Sequence, residues 1–379
     1  MRIAYVTIFD PSDIHAWSGL GVHILRSLRS SGLQTETIGK LRYQFDFIYK
    51  IKEVLYPRLL SKTYLMLWDP ILLKVFARQV ERALAATDYD MVFSIWTNPI
   101  AYLRTEKPIA FWGDGTFAGR MDFDPRYCNL CAETITSANR AEDLALGSCR
   151  LAIYSSEWAA NTAIDNYGVD PAKVRVVPFG ANINCSRTMQ DIERIIQNKN
   201  SEVCRLLFVG VNWFQKGGDI ALDAAKTLNE RGVPTELHIV GCNPPGDLPG
   251  FVKPHGFVSK ASEEGRRLLD DLYSQSHFLV LPTRADCTPV VFSEACSFGL
   301  PILTSNVGGI PTIVRDGKNG FVFPLDEDAK TYSETIRRLW SSKQEYAQLS
   351  LSSFQEYAER LNWGTSGRTV SALLREYCA

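Results

Sequence analysis

Short apolar runs alternate with segments of helical periodicity along the whole chain. The runs lie at residues 3–7, 91–95, 109–112, 151–155 and 174–177, and then at 206–209, 236–240, 278–281, 301–305 and 320–323. Each run is as long as a buried strand, and the segments between them place apolar residues one helical turn apart, as at Ala221, Ala225 and Leu228. Because strands that alternate with helices form parallel sheets covered on both faces, the pattern predicts an α/β protein.

The two sets of runs are separated by residues 177–182 and a polar stretch that extends to Ser201. A chain of 379 residues also exceeds the size at which one core usually divides, about 250–300 residues. We therefore expect two doubly wound, Rossmann-like domains with a cleft between them. Residues 1–180 together with about 360–379 are expected to form the first domain, and residues 181–359 the second.

Composition and charge are those of a globular protein, with 45% hydrophobic residues, 22% charged residues and a net charge of −1. This balance gives no electrostatic reason to expect a nucleic-acid partner. No uncharged apolar run reaches the roughly 20 residues of a spanning helix, and the first residues do not form an export leader, so we expect a cytoplasmic protein. Its nine cysteines then favour reduced thiols, and Cys128 and Cys131 lack the second pair that a zinc site needs.

The strongest candidate site follows the apolar run at residues 278–281. Asp286 lies in the loop after it, and Glu294 lies eight positions later inside a helix expected to begin near Val290. Ligands of open α/β sheets bind at this edge, and a helix start aims backbone N–H groups at an anion such as a diphosphate. The carboxylate of Glu294 can accept hydrogen bonds from the hydroxyls of a ribose.

Two further loops carry candidate phosphate ligands. Lys216 lies in the glycine-containing loop after residues 206–209, where its charge can neutralise a leaving diphosphate, although a lone lysine is more often a solvated surface residue. Gly19 lies in a turn between the first strand and the first helix, and Ile24 stands where the dinucleotide fingerprint requires a third glycine. That turn can bind phosphate or serve only as a tight turn.

Residues 41–80 carry seven Lys or Arg against three acidic residues, with aromatic side chains among them. Basic and aromatic side chains together suit peripheral contact with anionic lipid on the cytoplasmic face of a membrane. The alternative interpretation is a pair of helices packed on the sheet with their charges in solvent.

In this order the motifs resemble glycosyltransferase family 4 and its GT-B relatives, from about Met1 to the last helix. Asp286 and Glu294 match the two-acid signature of that family, which places two acids eight positions apart. The ordered set includes further matches at residues 156–160, 173–180, 216–217, 299–302, 308–311 and 315–322. The whole set is more specific than any one of its members.

The resemblance implies a GT-B fold and a retaining glycosyltransferase of glycan biosynthesis. Such an enzyme moves a sugar from a nucleotide-diphosphate donor, of UDP or GDP type, to a glycan, a lipid-linked acceptor or a small molecule. The resemblance implies neither a metal nor another cofactor. Two alternatives stay open, which are a nucleotide-sugar epimerase of the same fold and a non-catalytic GT-B partner protein.

The resemblance also implies roles for individual residues. Glu294 would hold the donor ribose, Asp286 the hydroxyls of the donor sugar, and Lys216 the diphosphate. Backbone groups of the turn at Phe257 would contact the base. The donor-binding positions implied in this way are Gly19, Lys216, Phe257, Val258, Arg284, Asp286, Val290, Val291 and Glu294.

Several positions depart from the family pattern. The first acid is Asp286 where relatives carry glutamate, and Pro289 replaces a glycine and removes one N–H donor. Val211 stands where relatives often carry an arginine, so we consider Arg284 as the replacement cation. The usual first-domain histidine is missing, and Asp114 is predicted to take its position, with a helix cap or turn residue as the alternative. The predicted catalytic residues are therefore Asp114, Lys216 and Asp286.

Overall fold

The computed structural model describes residues 1–44, 46–199 and 201–378. Phe45 of the 41–80 segment, Asn200 of the polar stretch and Ala379 lie outside the described residues. The chain divides into two units. Unit 1 comprises Met1–Pro178 and Trp363–Ala379, and unit 2 comprises Phe179–Asn362.

Each unit contains one six-stranded sheet whose paired strands are all parallel. The strands are β1 (Arg2–Val6), β2 (Gln34–Ile38), β3 (Met91–Ser94), β4 (Ile109–Gly113), β5 (Leu151–Tyr154), β6 (Val174–Val176), β7 (Cys204–Val209), β8 (Thr235–Val240), β9 (Val252–Pro254), β10 (Phe278–Leu281), β11 (Ile302–Ser305) and β12 (Gly320–Phe323). Their spatial order is β2-β1-β3-β4-β5-β6 in unit 1 and β12-β11-β10-β7-β8-β9 in unit 2.

Helices connect most of these strands. They are α1 (Leu20–Ser30), α2 (Asp46–Leu60), α3 (Pro70–Leu84), α4 (Phe117–Arg120), α5 (Ala132–Ser148), α6 (Glu157–Tyr167), α7 (Met189–Asn198), α8 (Gly218–Glu230), α9 (Glu263–Gln275), α10 (Val290–Cys296), α11 (Ile310–Ile313), α12 (Ala329–Ser341), α13 (Lys343–Arg360) and α14 (Trp363–Cys378). Short 3-10 helices lie at Ala16–Gly19, Met66–Trp68, Pro125–Tyr127 and Pro171–Lys173. Strands alternating with helices in wholly parallel sheets confirm the predicted α/β class.

The core of unit 2 lies between its sheet and the helices that cover it. The four residues of β10 are fully buried, as a central parallel strand requires. The predicted apolar stripe of Ala221, Ala225 and Leu228 lies on α8, and all three side chains are fully buried. Burial of this stripe positions the start of α8 beside the strand ends where the candidate residues lie.

The C-terminal helix α14 packs in unit 1. Gly367 lies so close to α1 that a Cβ atom there would come within 2.7 Å of the Ser27 carbonyl oxygen. The Ser366 hydroxyl donates a hydrogen bond to the Pro178 carbonyl at 2.8 Å, and Arg150 donates one to the Tyr377 carbonyl at 3.1 Å. After leaving unit 2 the chain therefore returns to the first unit and ends there.

Two strands lie outside the apolar runs of the sequence. The edge strand β2 reads Gln-Thr-Glu-Thr-Ile and buries only Ile38, so it lacks the apolar signal of a central strand. The other, β9, has three residues and pairs only with β8 at the edge of its sheet. Edge strands with one partner need less burial, and hydrophobicity therefore predicts them poorly.

Within the described residues, no helix is both long enough and apolar enough to cross a bilayer. All nine cysteines are free thiols, including Cys128 and Cys131. The same part of the chain contains no group of three or more His, Cys, Asp or Glu side chains arranged to hold a metal ion.

Candidate functional site

Two loops of unit 2 meet at one edge of the sheet. Strands β7 and β10 are neighbours and run parallel, so the loops that follow them leave from the same edge. The loop after β7 carries Lys216, and its ammonium group forms an ion pair with the carboxylate of Asp286 in the loop after β10. Both side chains are mostly buried. The structure thus joins two predicted site residues that the chain separates by 70 positions.

Glycines let these loops approach each other. Gly217 has a φ of +73°, and a Cβ atom there would lie 2.0 Å from the Pro282 carbonyl oxygen. At Gly210 a Cβ atom would lie 2.9 Å from Cγ of Lys216. A backbone hydrogen bond of 2.8 Å from Arg284 N–H to the Gln215 carbonyl fixes the approach. A side chain at Gly217 would collide with the backbone of the neighbouring loop, and one at Gly210 would press on the Lys216 side chain.

Glu294 is a buried carboxylate on α10, with 1% of its surface exposed. Lys260, whose side chain is 37% exposed, forms an ion pair with one of its oxygens. The Tyr273 hydroxyl donates a hydrogen bond of 3.0 Å to the other oxygen. Burial raises the pKa of Tyr273 well above its ordinary value, so the phenol stays protonated and remains a donor. Glu294 is thus held in place by one cation and one neutral donor.

Lys260 and Tyr273 both contact Glu294, and the sequence predicted neither of them. Tyr273 belongs to the buried face of α9, where it resembles any core aromatic residue. Lys260 follows the predicted turn at Phe257 and Val258, and a basic residue so close to that turn is the one signal that the sequence offered. Neither residue has a spacing relative to Glu294 that a sequence pattern reveals.

The remaining predicted donor positions of unit 2 lie on loops. Phe257 is 70% exposed, and Val258 is half-buried in the segment after β9. That segment is joined to the loop after β8 by a hydrogen bond of 2.8 Å from Gly241 N–H to the Gly256 carbonyl. Val290 and Val291 begin α10, which has seven residues and receives no side-chain cap from Pro289.

Arg284 does not stand free as a phosphate cation. Its guanidinium forms two hydrogen bonds with the carboxylate of Asp219, at 2.9 and 2.8 Å, and it also donates to the Phe214 carbonyl. The hydrogen bond from Arg284 lowers the pKa of Asp219, so the carboxylate keeps its negative charge. Asp219 thus balances the charge of Arg284 as Asp286 balances that of Lys216, and the role of Arg284 at the diphosphate stays a prediction. Arg284 also ties the loop after β10 to the start of α8.

In unit 1, Asp114 lies directly after β4 and contacts the turn that carries Gly19. Its carboxylate accepts a hydrogen bond of 3.2 Å from the indole N–H of Trp17 and pairs with Arg120. Thr116, not Asp114, caps α4, because its hydroxyl accepts a hydrogen bond from Gly119 N–H. The cap alternative for Asp114 is therefore wrong.

The turn before α1 has an unusual backbone. Trp17, Ser18 and Gly19 have φ values of 48°, 55° and 79°. Residues other than glycine adopt this region at a cost, and such strain persists where surrounding contacts fix the backbone. The hydrogen bond from Trp17 to Asp114 is one of these contacts. Gly19 and Asp114, which the sequence linked only by resemblance, thus belong to one structural cluster in unit 1.

Residues 203–342 match the family described as glycosyl transferases group 1. The matched residues make up most of unit 2. The match begins just before β7, ends with α12 and includes every predicted donor position except Gly19. It confirms the resemblance to glycosyltransferase family 4 that the ordered motifs indicated.

Curated relatives match part of the chain. The D-inositol 3-phosphate glycosyltransferase of Gordonia bronchialis is 25% identical over 242 residues, which are 59% of this chain and 51% of that protein. The protein of the same name from Thermomonospora curvata is 27% identical over 258 residues, 62% of this chain and 58% of that protein. Spore coat protein SA of Bacillus subtilis is 30% identical over 160 residues, 42% and 37% of the two chains. The chain spans about half the length of the curated relatives it matches.

Solved structures match almost the full chain. Sucrose-phosphate synthase from Thermosynechococcus elongatus aligns with a TM-score of 0.72 at 16% identity, covering 99% of this chain and 98% of that one. Anabaena HepE, solved in complex with UDP-glucose, aligns with a TM-score of 0.65 at 17% identity, covering 99% and 100%. These likenesses show the fold, which is GT-B with two Rossmann-like domains.

Proposed function

We propose that this protein is a retaining glycosyltransferase that uses a nucleotide-diphosphate sugar. The observation that carries the proposal is the pair of ion pairs in unit 2, Lys216 with Asp286 and Lys260 with Glu294. A diphosphate needs cations, and a ribose and a sugar need carboxylate acceptors. Unit 2 places both kinds of group on the loops at one sheet edge and on the helix that follows β10, within a segment matched by the glycosyl transferases group 1 model.

Donor binding would exchange these contacts. Lys216 would leave Asp286 for the oxygens of the diphosphate, and Asp286 would then accept hydrogen bonds from hydroxyls of the donor sugar. Glu294 would accept hydrogen bonds from the ribose, and Lys260 would remain close enough to balance its charge. We propose UDP as the nucleotide, because HepE, which shares the fold, was solved with UDP-glucose. GDP stays an alternative.

The transfer would break the bond between the anomeric carbon and the diphosphate as the acceptor oxygen bonds to the same face of that carbon. Because the new bond forms on the face that the diphosphate leaves, the configuration is retained. The acceptor hydroxyl would give its proton to a leaving phosphate oxygen, and the charges balance. Lys216 would stabilise the negative charge that develops on the diphosphate. Stabilisation of charge in the transition state is usually the largest contribution of an enzyme to the rate. We propose that protein cations supply this stabilisation without a metal.

In unit 1 we assign Asp114 the contact with the transferred sugar or with the acceptor hydroxyl. Its carboxylate is fixed by Arg120 and Trp17, so it is held in one orientation before any ligand binds. The turn at Gly19 would supply backbone N–H groups to the diphosphate. The acceptor would be a glycan, a lipid-linked acceptor or a small molecule.

We further propose that α2 makes peripheral contact with an anionic membrane. Phe47, Ile51, Leu55 and Leu59 follow one another at intervals of one turn and are 64%, 52%, 45% and 72% exposed. The opposite face is packed on the protein, where Lys52 pairs with Asp69 at 3.0 Å and with Glu133.

Basic residues accompany the apolar face of α2. Lys50 and Arg58 are exposed on the helix, and Lys62 is exposed just after it. An amphipathic helix with an apolar face and basic flanks suits the boundary of an anionic bilayer. This arrangement supports the lipid interpretation of residues 41–80.

Nucleotide release tests the proposed transfer. UDP formed from UDP-glucose is measured with and without a panel of methyl glycosides, for the wild type and for Glu294→Gln. We expect UDP release that depends on an added glycoside and that is at least tenfold lower for Glu294→Gln. Isomerised sugar formed without any acceptor would indicate an epimerase, and no reaction of either kind would indicate a non-catalytic protein.

A further inference from the structure

The one-turn helix α4 carries the arginine that fixes Asp114. Arg120 is the last residue of α4, and its guanidinium pairs with the Asp114 carboxylate. Both side chains are mostly buried, with 13% and 15% of their surfaces exposed. A helix of four residues gains too few backbone hydrogen bonds to be stable by itself. The position of Arg120 therefore depends on the contacts that hold α4 in unit 1.

Side chains accept hydrogen bonds from the first three N–H groups of α4. The N–H of Phe117 donates to the carboxylate of Glu142, which lies on α5. The N–H of Ala118 donates a hydrogen bond of 3.0 Å to the hydroxyl of Tyr167 on α6. The third N–H bonds to Thr116, the cap of the helix. Because the first N–H groups of a helix have no partner within it, two neighbouring helices fix the start of α4.

Glu142 is the charged member of this support. It is 1% exposed, and the Thr97 hydroxyl in the loop after β3 donates a hydrogen bond of 2.8 Å to its Oε2. Its carboxyl group thus joins α5 to that loop and to the start of α4. Burial raises the pKa of Glu142 to about 7, so its hydrogen bonds offset only part of the cost of burying the charge. A carboxyl group held at such a cost indicates a role for its charge.

Arg120 links Glu142 electrostatically to Asp114. Its positive charge favours the ionised form of Glu142, and the same guanidinium pairs with Asp114. Three further titratable groups face Glu142, and they are Tyr154, Tyr167 and Cys149. Burial raises the pKa of each of these three, so they stay uncharged near neutral pH. Ionised Glu142 therefore acts on both ends of α4, at the backbone of Phe117 and at the charge of Arg120.

We propose that Glu142 is a positioning residue for Asp114, and that it acts through α4 and Arg120. Its ionised form accepts the N–H of Phe117 and attracts Arg120, so that the Asp114 carboxylate keeps one orientation. Glu142 itself contacts no substrate in this account. That Asp114 then orients the transferred sugar or the acceptor rests on the proposed transferase function, whereas the link from Glu142 to Asp114 does not.

Trp17 reports this link without any substrate, because its indole N–H donates to Asp114. The indole resonance is recorded by NMR on protein labelled with nitrogen-15 tryptophan, between about pH 5 and about pH 9, a range that brackets a pKa near 7. Every protein carries His15→Asn, because His15 is a titratable neighbour of Trp17. We expect the resonance to titrate near pH 7 when Glu142 is present and to stay constant in Glu142→Gln.

Asp143→Asn is the matched control, because Asp143 is the adjacent residue on α5 and is exposed. Its Trp17 resonance should titrate as that of the protein with intact Glu142 and Asp143. A resonance that does not titrate in the protein with Glu142, or that titrates equally in Glu142→Gln, overturns the proposal.

Kinetics separate a positioning role from general damage to the fold. UDP release with added methyl glycosides and calorimetric binding of UDP-glucose are measured above neutral pH for the wild type, Glu142→Gln and Asp143→Asn. We expect kcat to fall at least tenfold in Glu142→Gln while the Kd for UDP-glucose stays within about twofold, because Glu142 acts on Asp114 and not on unit 2. Asp143→Asn should match the wild type in both.

An unchanged kcat in Glu142→Gln, or an equal loss of kcat and of UDP-glucose affinity, contradicts the positioning role in the reaction. If the wild type releases no UDP with any glycoside, the transferase function fails. The titration of the Trp17 resonance then still decides whether Glu142 positions Asp114.

Discussion

Lys216 and Asp286 form an ion pair between the loops that follow β7 and β10. The pair exists because two neighbouring parallel strands deliver their loops to one edge of the sheet. In the proposed reaction the same two groups must part, so that the lysine can bind phosphate and the aspartate can bind sugar. The ion pair therefore keeps both groups in place before the donor arrives.

Separating the charge of Lys216 from its structural role gives a first prediction. Lys216→Met should lower the free energy of unfolding, because it leaves the mostly buried Asp286 without its cation. It should also lower the affinity for UDP-glucose, because it removes the cation proposed to bind the diphosphate. Adding Asp286→Asn should recover most of the stability but not the affinity. Urea unfolding and calorimetric titration measure the two effects. Lys226→Met, which changes an exposed lysine of α8, is the control and should alter neither.

A second prediction concerns the glycine that allows the two loops to meet. Gly217→Ala should destabilise the protein by more than about 2 kcal/mol, because the left-handed backbone is strained and the new Cβ collides with the Pro282 carbonyl. Gly232 has a similar φ of +78° with nothing near its Cβ position, so Gly232→Ala carries the backbone strain alone. Equal losses in urea unfolding for the two variants would show that the loop contact is unimportant.

The sequence predicted most of this architecture because central strands of parallel sheets are apolar throughout. The run at residues 278–281 coincides with β10, and the stripe on α8 is buried as expected. The edge strand Gln34–Ile38 escaped prediction because one partner and one buried side chain leave no periodic signal. Hydrophobic patterns therefore predict the central strands of each sheet better than the edge strands.

The candidate site was predictable only in part. Asp286 and Glu294 share a motif, so the sequence alone identifies both residues as candidates. The contacts of Glu294 with Lys260 and Tyr273 depend on how α9 packs, and no spacing in the chain encodes that packing. For the same reason the sequence does not reveal that Arg284 donates two hydrogen bonds to Asp219.

The pH dependence of stability gives a third prediction. Burial raises the pKa of Glu142 from its ordinary 4.5 to about 7, so the folded protein holds this proton more tightly than the unfolded chain. Its contribution to the free energy of unfolding should fall as pH rises between these values, by on the order of 3 kcal/mol, and stay constant above them. Urea unfolding of Glu142→Gln should lack this loss.

The control for that titration is Asp143→Asn, which should follow the wild type at every pH because Asp143 is exposed. If Glu142→Gln and the wild type lose stability in parallel between pH 4.5 and pH 8, then Glu142 is not the group that binds the proton.

A fourth prediction concerns the exposed apolar face of α2. Leu55→Asp combined with Leu59→Asp should reduce sedimentation with phosphatidylglycerol vesicles at least tenfold, because it places two anionic groups at the lipid boundary. The same double variant should bind UDP-glucose as the wild type does. Leu325→Asp, at an exposed leucine of unit 2, is the control and should sediment normally. Equal sedimentation of all three proteins would exclude a role for α2.

The most direct test of the donor site in unit 2 is calorimetric titration of UDP-glucose and GDP-mannose into the wild type, Glu294→Gln and Glu264→Gln. Glu264 is an exposed acid on α9 and serves as the matched control. We predict that one of the two nucleotide sugars binds the wild type and Glu264→Gln with equal affinity, and binds Glu294→Gln at least tenfold more weakly. Failure of both nucleotide sugars to bind the wild type, or equal binding by Glu294→Gln, would contradict a nucleotide-sugar site built on Glu294.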